Sequence, residues 1–227
     1  MTIIQQVVEE LYLGESPFSF VDRSMRDAGY PHTNIVPARI DKVLEEVQPN
    51  FWLELGSMTG GSAIRVAERI KALKMKTQIV CVDPFTGDVN MWDWEKKLTH
   101  NKEWRFLALK NGRPTIYDRF LANVAESGHS DVIVPLQCTA IVGIKLLKRL
   151  KDQGRVSELP QVIYLDSAHE LEETFVELRA AWEILPERGL LWGDDWSWEA
   201  VREDVSKFCA FIGTKPVIDD GHWMVWK

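Results

Sequence analysis

The chain has 227 residues, 45% hydrophobic and 27% charged, which suits one substantial α/β domain and leaves little room for two. Its net charge of −7 disfavours non-specific binding to nucleic acid. No apolar run approaches the roughly 20 residues that cross a bilayer, and the opening residues lack the basic stretch and long apolar run of a secretory leader, so a cytoplasmic protein without membrane partners is expected.

Residues 2–12 and 36–48 carry helical periodicity, the second with Ile40, Val43, Leu44 and Val47 on one stripe. Phe51–Leu55 is a short apolar strand entering a glycine-rich turn, and Ser62–Leu73 the helix after it. Gln78–Val82 is a second strand, ending at Asp83. Residues 86–120, rich in Trp, Asn, Lys and Arg, break the alternation and are expected to form an inserted helical lid. Strands at Val132–Leu136 and Val162–Leu165 flank a helix at 140–152, whose lysines and arginine at 145–151 form a solvated face. A helix over Leu171–Leu185 stops at Pro186, and Gly189–Trp192 and Trp198–Phe211 are the next strand and helix. Strands at Pro216–Ile218 and Trp223–Trp226 close the pattern as a hairpin, because Asp220-Gly221 supplies the positive φ of a tight turn.

Short apolar strands alternating with helices predict a Rossmann-like, doubly wound, mostly parallel seven-stranded sheet with an antiparallel C-terminal hairpin strand. One domain, 1–227, is expected, with N-terminal helices in 1–50 that offer a surface for pairing two chains. Cys81, Cys138 and Cys209 are far apart in apolar settings, as buried free thiols are.

Ligands of open parallel sheets gather at the carboxyl ends of the strands. The first such end is Leu53-Glu-Leu-Gly-Ser-Met-Thr-Gly-Gly-Ser62, where Gly56 allows a sharp turn and Gly60 and Gly61 let backbone approach a ligand. Ser57 and Ser62 belong to the same candidate site. The Gly-x-x-x-Gly-Gly spacing is neither Gly-x-Gly-x-x-Gly nor a Walker loop. No lysine stands ready for a phosphate, and Glu54 would repel one, which points to a cationic or zwitterionic cofactor. Asp83 ends the second strand, where a carboxylate accepts hydrogen bonds from both hydroxyls of a ribose. Together these features favour S-adenosylmethionine over NAD. The competing structural reading is an ordinary strand-to-helix turn, with Asp83 as a cap before Pro84.

Asp166 ends the strand of Val162–Leu165 and is followed by His169, while Asp194 and Asp195 end the next strand. Parallel neighbours bring these carboxylates to one edge, where either one is protonated or a cation sits among them. All-oxygen ligands suit Mg²⁺, with Mn²⁺ or Ca²⁺ as lesser options. The chemistry expected is displacement at a sulfonium methyl by a substrate oxygen, with His169 or Asp166 as the base. His169, with an ordinary pKa of about 6.5, suits that work. Structural alternatives stand beside each. Ser167 and Glu170 have capping-box spacing, Asp195 or Ser197 can cap the following helix, and His169 can be a surface residue of a first turn.

Residues 53–67, Leu-Glu-Leu-Gly-Ser-Met-Thr-Gly-Gly-Ser-Ala-Ile-Arg-Val-Ala, resemble motif I of the catechol O-methyltransferase-like class I methyltransferases. Val82-Asp-Pro-Phe-Thr-Gly-Asp88 is similar to the acidic motif II of the sugar and macrolide O-methyltransferases, the macrocin O-methyltransferase family among them. The resemblance covers residues 36–85 and 130–227. It implies S-adenosylmethionine-dependent methylation of a small hydroxylated acceptor, a sugar, phenol or natural product, with Mg²⁺ held by Asp166, Asp194 and Asp195. Asp195 stands where the catechol enzymes commonly carry Asn, and His169 where they carry Lys. Cys138 and Thr139 fall where this fold meets the adenine.

Trp92, Trp94 and Trp104 in the insert, and Trp196 and Trp198 after the aspartate pair, are candidates to line the site, as are Arg105, Arg113 and Tyr117. His222 falls in the hairpin turn without an assigned function, and His32 and His100 are unplaced. Three alternatives remain: a metal-independent methyltransferase using Asp166 or His169, a non-catalytic adenosine-binding domain, and an NAD-dependent oxidoreductase.

Overall fold

In the computed structural model, residues 1–27, 33–92 and 106–227 are described. Seven strands, β1 (Phe51–Leu55), β2 (Gln78–Asp83), β3 (Ile133–Gln137), β4 (Val162–Leu165), β5 (Leu190–Gly193), β6 (Val217–Asp219) and β7 (His222–Trp226), form one sheet in the order β3-β2-β1-β4-β5-β7-β6. β1 to β5 pair in parallel, and β7 runs antiparallel to both β5 and β6. The chain winds outward from β1 in one direction and resumes at β4 in the other, which places the switch point, and so the expected ligand crevice, at the β1–β4 boundary.

β1 to β5 are mainly apolar and buried because both faces of that part of the sheet are covered, whereas β6 at the edge is exposed. Phe51, Leu53 and Leu55 of β1 face one core cluster, with helices α1 (Ile3–Leu11), α6 (Ala140–Asp152), α7 (Glu173–Ile184) and α8 (Glu199–Ile212) packed over it. Trp52 faces the other, under α2 (Pro37–Val47), α3 (Gly61–Ala72) and α5 (Ile116–Ser127). A short helical segment, α4 (Val89–Trp92), follows the end of β2. The local chemistry of the ends is visible in α1, where Thr2 and Gln5 form a reciprocal capping box. At the hairpin, Asp220 and Gly221 take φ of 45° and 83°, the left-handed pair such a turn requires.

Three local expectations are corrected. α7 begins at Glu173 without a side-chain cap, because the Ser167 hydroxyl donates to half-buried Glu177 instead of closing a box with Glu170. Neither Asp195 nor Ser197 caps α8, whose N-cap is Trp198. Residues 116–120 belong to α5, with Ile116 and Phe120 in the core, so that end of the expected insert is part of the body of the domain. Trp94, His100, Trp104, Arg105 and His32 lie outside the described residues. Among the described residues, no helix is long and apolar enough to cross a membrane.

Candidate active site

β1 leaves the sheet at Gly56 with φ 81°, and a Cβ there would overlap the carbonyl of Asp166 at the end of β4. Only glycine permits that approach, which seats the loop after β1 against the carboxyl end of β4. The loop then wraps the Asp83 carboxylate. Ser57 and Met58 donate their backbone N–H to Oδ2 at 2.9 and 2.8 Å, and Phe85 N–H donates to Oδ1. Burial raises the Asp83 pKa, against the pull of these three hydrogen bonds. Oδ2 has both lone pairs engaged, whereas Oδ1 keeps the capacity to accept one more donor. Beneath the loop, Ser62 Oγ donates to Glu54 Oε1 at 2.9 Å. Glu54 is fully buried and burial pushes its pKa up to about 7.

Across the same cavity, of about 560 Å³, stand the residues that end β4 and β5. That volume lies in the range of small-molecule sites, about 300–1,000 Å³. His169 is clamped between two carboxylates, with Nδ1 3.1 Å from Asp88 Oδ2 and Nε2 2.9 Å from Asp195 Oδ2. Asp166 Oδ1 is 4.0 Å from the same Nε2. Burial alone would lower the imidazole pKa, but the hydrogen bonds to Asp195 and Asp88 outweigh it and raise His169 to about 10. Asp88 responds in the opposite sense, since its bonds to His169 and Asn90 overcome burial and bring it down to about 2. Asp166 is held well above the usual carboxylate range by burial and by the charges of Asp194 and Asp195.

These directions describe a cluster organised around one positive charge. A proton on His169 would supply it, and both ring nitrogens would then donate to Asp88 and Asp195. One donor atom each from Asp166, His169 and Asp195 lies within 4.8 Å of the others, a set that also fits a divalent cation. Asp194 stands just outside this trio. Its Oδ1 accepts the Asp195 N–H at 2.8 Å and lies 3.6 Å from His222 Nε2. The grouping thus differs from the expected Asp166, Asp194 and Asp195, with His169 in the inner position.

Gly56, Ser57, Ser62, Asp83, Asp166, His169, Asp194 and Asp195 all line the one cavity. Glu54 lies under it, and Gly60, with φ 91°, is the N-cap of α3 behind the lining. Cys138 and Thr139 are outside the lining. Cys138 packs on the first core cluster, and Thr139 Oγ1 accepts the Val142 N–H at the start of α6. Trp198 also faces the cavity, its ring tilted over His169 at 5.3 Å. Trp196 packs on the core, Tyr117 packs on Phe85, and Arg113 bridges to Lys110.

Two parts of the site carry no assignment from sequence. Asp88 is the partner of His169, and its signal was present as the aspartate closing the turn after Asp83-Pro-Phe-Thr-Gly. On the opposite wall, Arg119 Nε and Asn123 Nδ2 both donate to Asp27, and Asn123 also donates to the Thr59 carbonyl, at 2.9 Å. This triad ties the segment before α2 to the glycine loop through contacts that no spacing announces.

Residues 53–196 match the family described as a methyltransferase domain. Among curated proteins there is no match. In the solved structures, the chain is similar to the O-methyltransferase from Bacillus cereus in complex with SAH, at 13% identity over 98% of this chain and 96% of that one, with a TM-score of 0.57. It is also similar to CalS11, a TDP-rhamnose 3'-O-methyltransferase in calicheamicin biosynthesis, at 16% identity over 84% and 78%, with a TM-score of 0.54. A third is the O-methyltransferase TomG from Streptomyces achromogenes, involved in tomaymycin synthesis and solved with SAM, at 12% identity over 98% and 95%, with a TM-score of 0.55. At such identities the likeness is one of fold.

Proposed function

The chain belongs to the methyltransferase domain family, and from that premise we propose that it is an S-adenosylmethionine-dependent O-methyltransferase, assisted by a divalent cation, acting on a small hydroxylated acceptor. The observation that carries this reading is the Asp83 carboxylate, cradled by the loop amides at the switch point, facing the Asp166–His169–Asp195 cluster across one cavity. The likeness in fold to O-methyltransferases solved with SAH or SAM supports it. When bound, S-adenosylmethionine supplies a sulfonium methyl, and Mg²⁺, Mn²⁺ or Ca²⁺ acidifies and orients the acceptor hydroxyl.

Each residue then has a distinct task. Asp83 Oδ1, with one acceptor site left, would accept a ribose hydroxyl, while Gly56 and Ser57 would bring backbone close to the ligand. Asp166 and Asp195 would hold the cation, joined by Asp194, which stands just outside their grouping. Asp88 fixes the imidazole of His169 so that Nε2 faces the reacting side, where it takes the acceptor proton. That role requires Nε2 to give up the proton that the neighbouring carboxylates favour on it. Trp198 shields the His169 ring from solvent and offers an apolar face to the acceptor.

A second reading, favoured by the pKa of about 10 at His169, is metal-independent transfer. Protonated His169 then serves as the permanent counter-charge, and Asp166, held well above the usual carboxylate range, takes the acceptor proton. Methyl transfer from labelled S-adenosylmethionine to a panel of catechols and sugars, with Mg²⁺ or with EDTA, separates the two. Activity lost in EDTA and restored by Mg²⁺ supports the cation-assisted reaction; undiminished turnover in EDTA supports the second. No transfer to any member of the panel counts against both.

A further inference from the structure

His222 does not sit in the hairpin turn but opens β7, 2% exposed, with its ring 5.8 Å from that of Trp192. Its Nδ1 lies 2.9 Å from a guanidinium nitrogen of Arg39, which is itself 8% exposed. A guanidinium has five N–H donors and no acceptor, so this contact is a hydrogen bond only if Nδ1 presents its lone pair. The ring proton of neutral His222 therefore sits on Nε2. The rival contact, Nδ1 to the Asp220 carbonyl, needs the other tautomer and is longer, at 3.3 Å.

Nε2 has no hydrogen-bond partner among the described residues, and it faces Asp194 Oδ1 at 3.6 Å. A buried donor left unmade is costly, and the Asp194 carboxylate is the acceptor within reach of a small shift. Arg39 is anchored in turn by the hairpin, with Nε 3.0 Å from Asp219 Oδ2 and Nη2 3.6 Å from Asp220 Oδ2. A continuous chain of polar contacts thus runs from the surface hairpin through Arg39 and His222 to the edge of the aspartate cluster.

We propose that Arg39 and His222 are positioning residues for Asp194: Arg39 fixes the imidazole tautomer, and His222 presents Nε2–H to Oδ1. Because Oδ1 also accepts the Asp195 N–H, both of its lone pairs would be engaged and Oδ2 would be the oxygen left for the cation. The inference rests on the reading of Asp194 as a cation ligand. Partners behind a metal-ligating side chain commonly change metal affinity by about 10- to 100-fold when removed.

The test uses the full chain with Mn²⁺ as probe, followed by electron paramagnetic resonance, together with long-range proton–nitrogen spectra of the histidines in metal-free protein. The spectra are expected to show His222 protonated on Nε2, with Arg39→Met releasing it to the other tautomer. His222→Phe is expected to weaken Mn²⁺ about tenfold or more, while His222→Gln, whose amide N–H replaces Nε2–H, stays within about threefold of wild type. A proton on Nδ1, or Mn²⁺ binding by His222→Phe equal to wild type, overturns the proposal. Should the wild type bind no Mn²⁺, the cation reading falls; the relay is then judged by the spectra alone, supported if Arg39→Met changes the tautomer and overturned if it does not.

Discussion

His169 Nδ1 lies 3.1 Å from Asp88 Oδ2, a pairing across 81 positions that joins the loop after β2 to the end of β4. It places a carboxylate behind the imidazole and leaves Nε2 facing Asp195 and Asp166. The same contact contributes to two opposite displacements, His169 up to about 10, where the Asp195 hydrogen bond adds the larger part, and Asp88 down to about 2.

Removing the Asp88 charge should therefore move the imidazole. Asp88→Asn is expected to lower the His169 pKa from about 10 toward the ordinary value of ~6.5. A nuclear magnetic resonance titration of the ring protons checks this, and an unchanged midpoint contradicts the pairing.

The pH dependence of stability follows with a defined sign. His169 has a folded pKa above its unfolded value of ~6.5, so its contribution is complete below ~6.5 and is lost as pH rises through about 10. Asp88 is depressed, so its contribution is present above ~3.9 and is lost as pH falls toward about 2. Both describe one pair and are not added. Thermal melts in EDTA should show Tm of the wild type falling between pH 7 and 10 more steeply than Tm of His169→Gln. Parallel curves would contradict the assignment.

Asp83 should govern cofactor affinity. Asp83→Asn keeps the size but removes the charge and half of the acceptor capacity, and a charge-assisted hydrogen bond is worth about 1.5–3 kcal/mol. Binding of S-adenosylhomocysteine is expected to weaken about 10- to 100-fold, measured by fluorescence titration of the cavity tryptophan, Trp198. An unaltered Kd would remove Asp83 from the site.

Gly56→Ala should damage the fold as well as the site. The new Cβ would overlap the Asp166 carbonyl, and φ 81° is strained for any side chain, at a cost of about 1–3 kcal/mol before the clash is counted. The expected outcome is a lower urea midpoint with loss of cofactor binding. A variant as stable as the wild type would mean the loop has another route.

The parts of this site that sequence exposes are those fixed by strand ends. β1 to β5 are short and mainly apolar, so their number, order of appearance and parallel character follow from alternation with helices. Gly56, Asp83, Asp166 and Asp194 sit at the ends of strands held in register, as where Leu165 lies opposite Gly193, and strand ends are where such a sheet binds ligands. What stays hidden depends on where a loop side chain turns after the strand. Asp88 with His169, and Arg39 with His222 across 183 positions, are meetings of this kind. Ser167 shows the converse, since its capping-box spacing was sound but a half-buried carboxylate, Glu177, captured the hydroxyl. His222 carried a weak signal, its period-two spacing with Met224 on a strand facing the core.

The most direct measurement is calorimetric titration of S-adenosylhomocysteine, and then of Mg²⁺, into the wild type and into Asp195→Ala. Saturable one-site binding of S-adenosylhomocysteine to both proteins, with a Mg²⁺ heat seen only in the wild type, is the predicted result. Absence of any saturable binding of S-adenosylhomocysteine to the wild type would contradict the methyltransferase reading of the cavity.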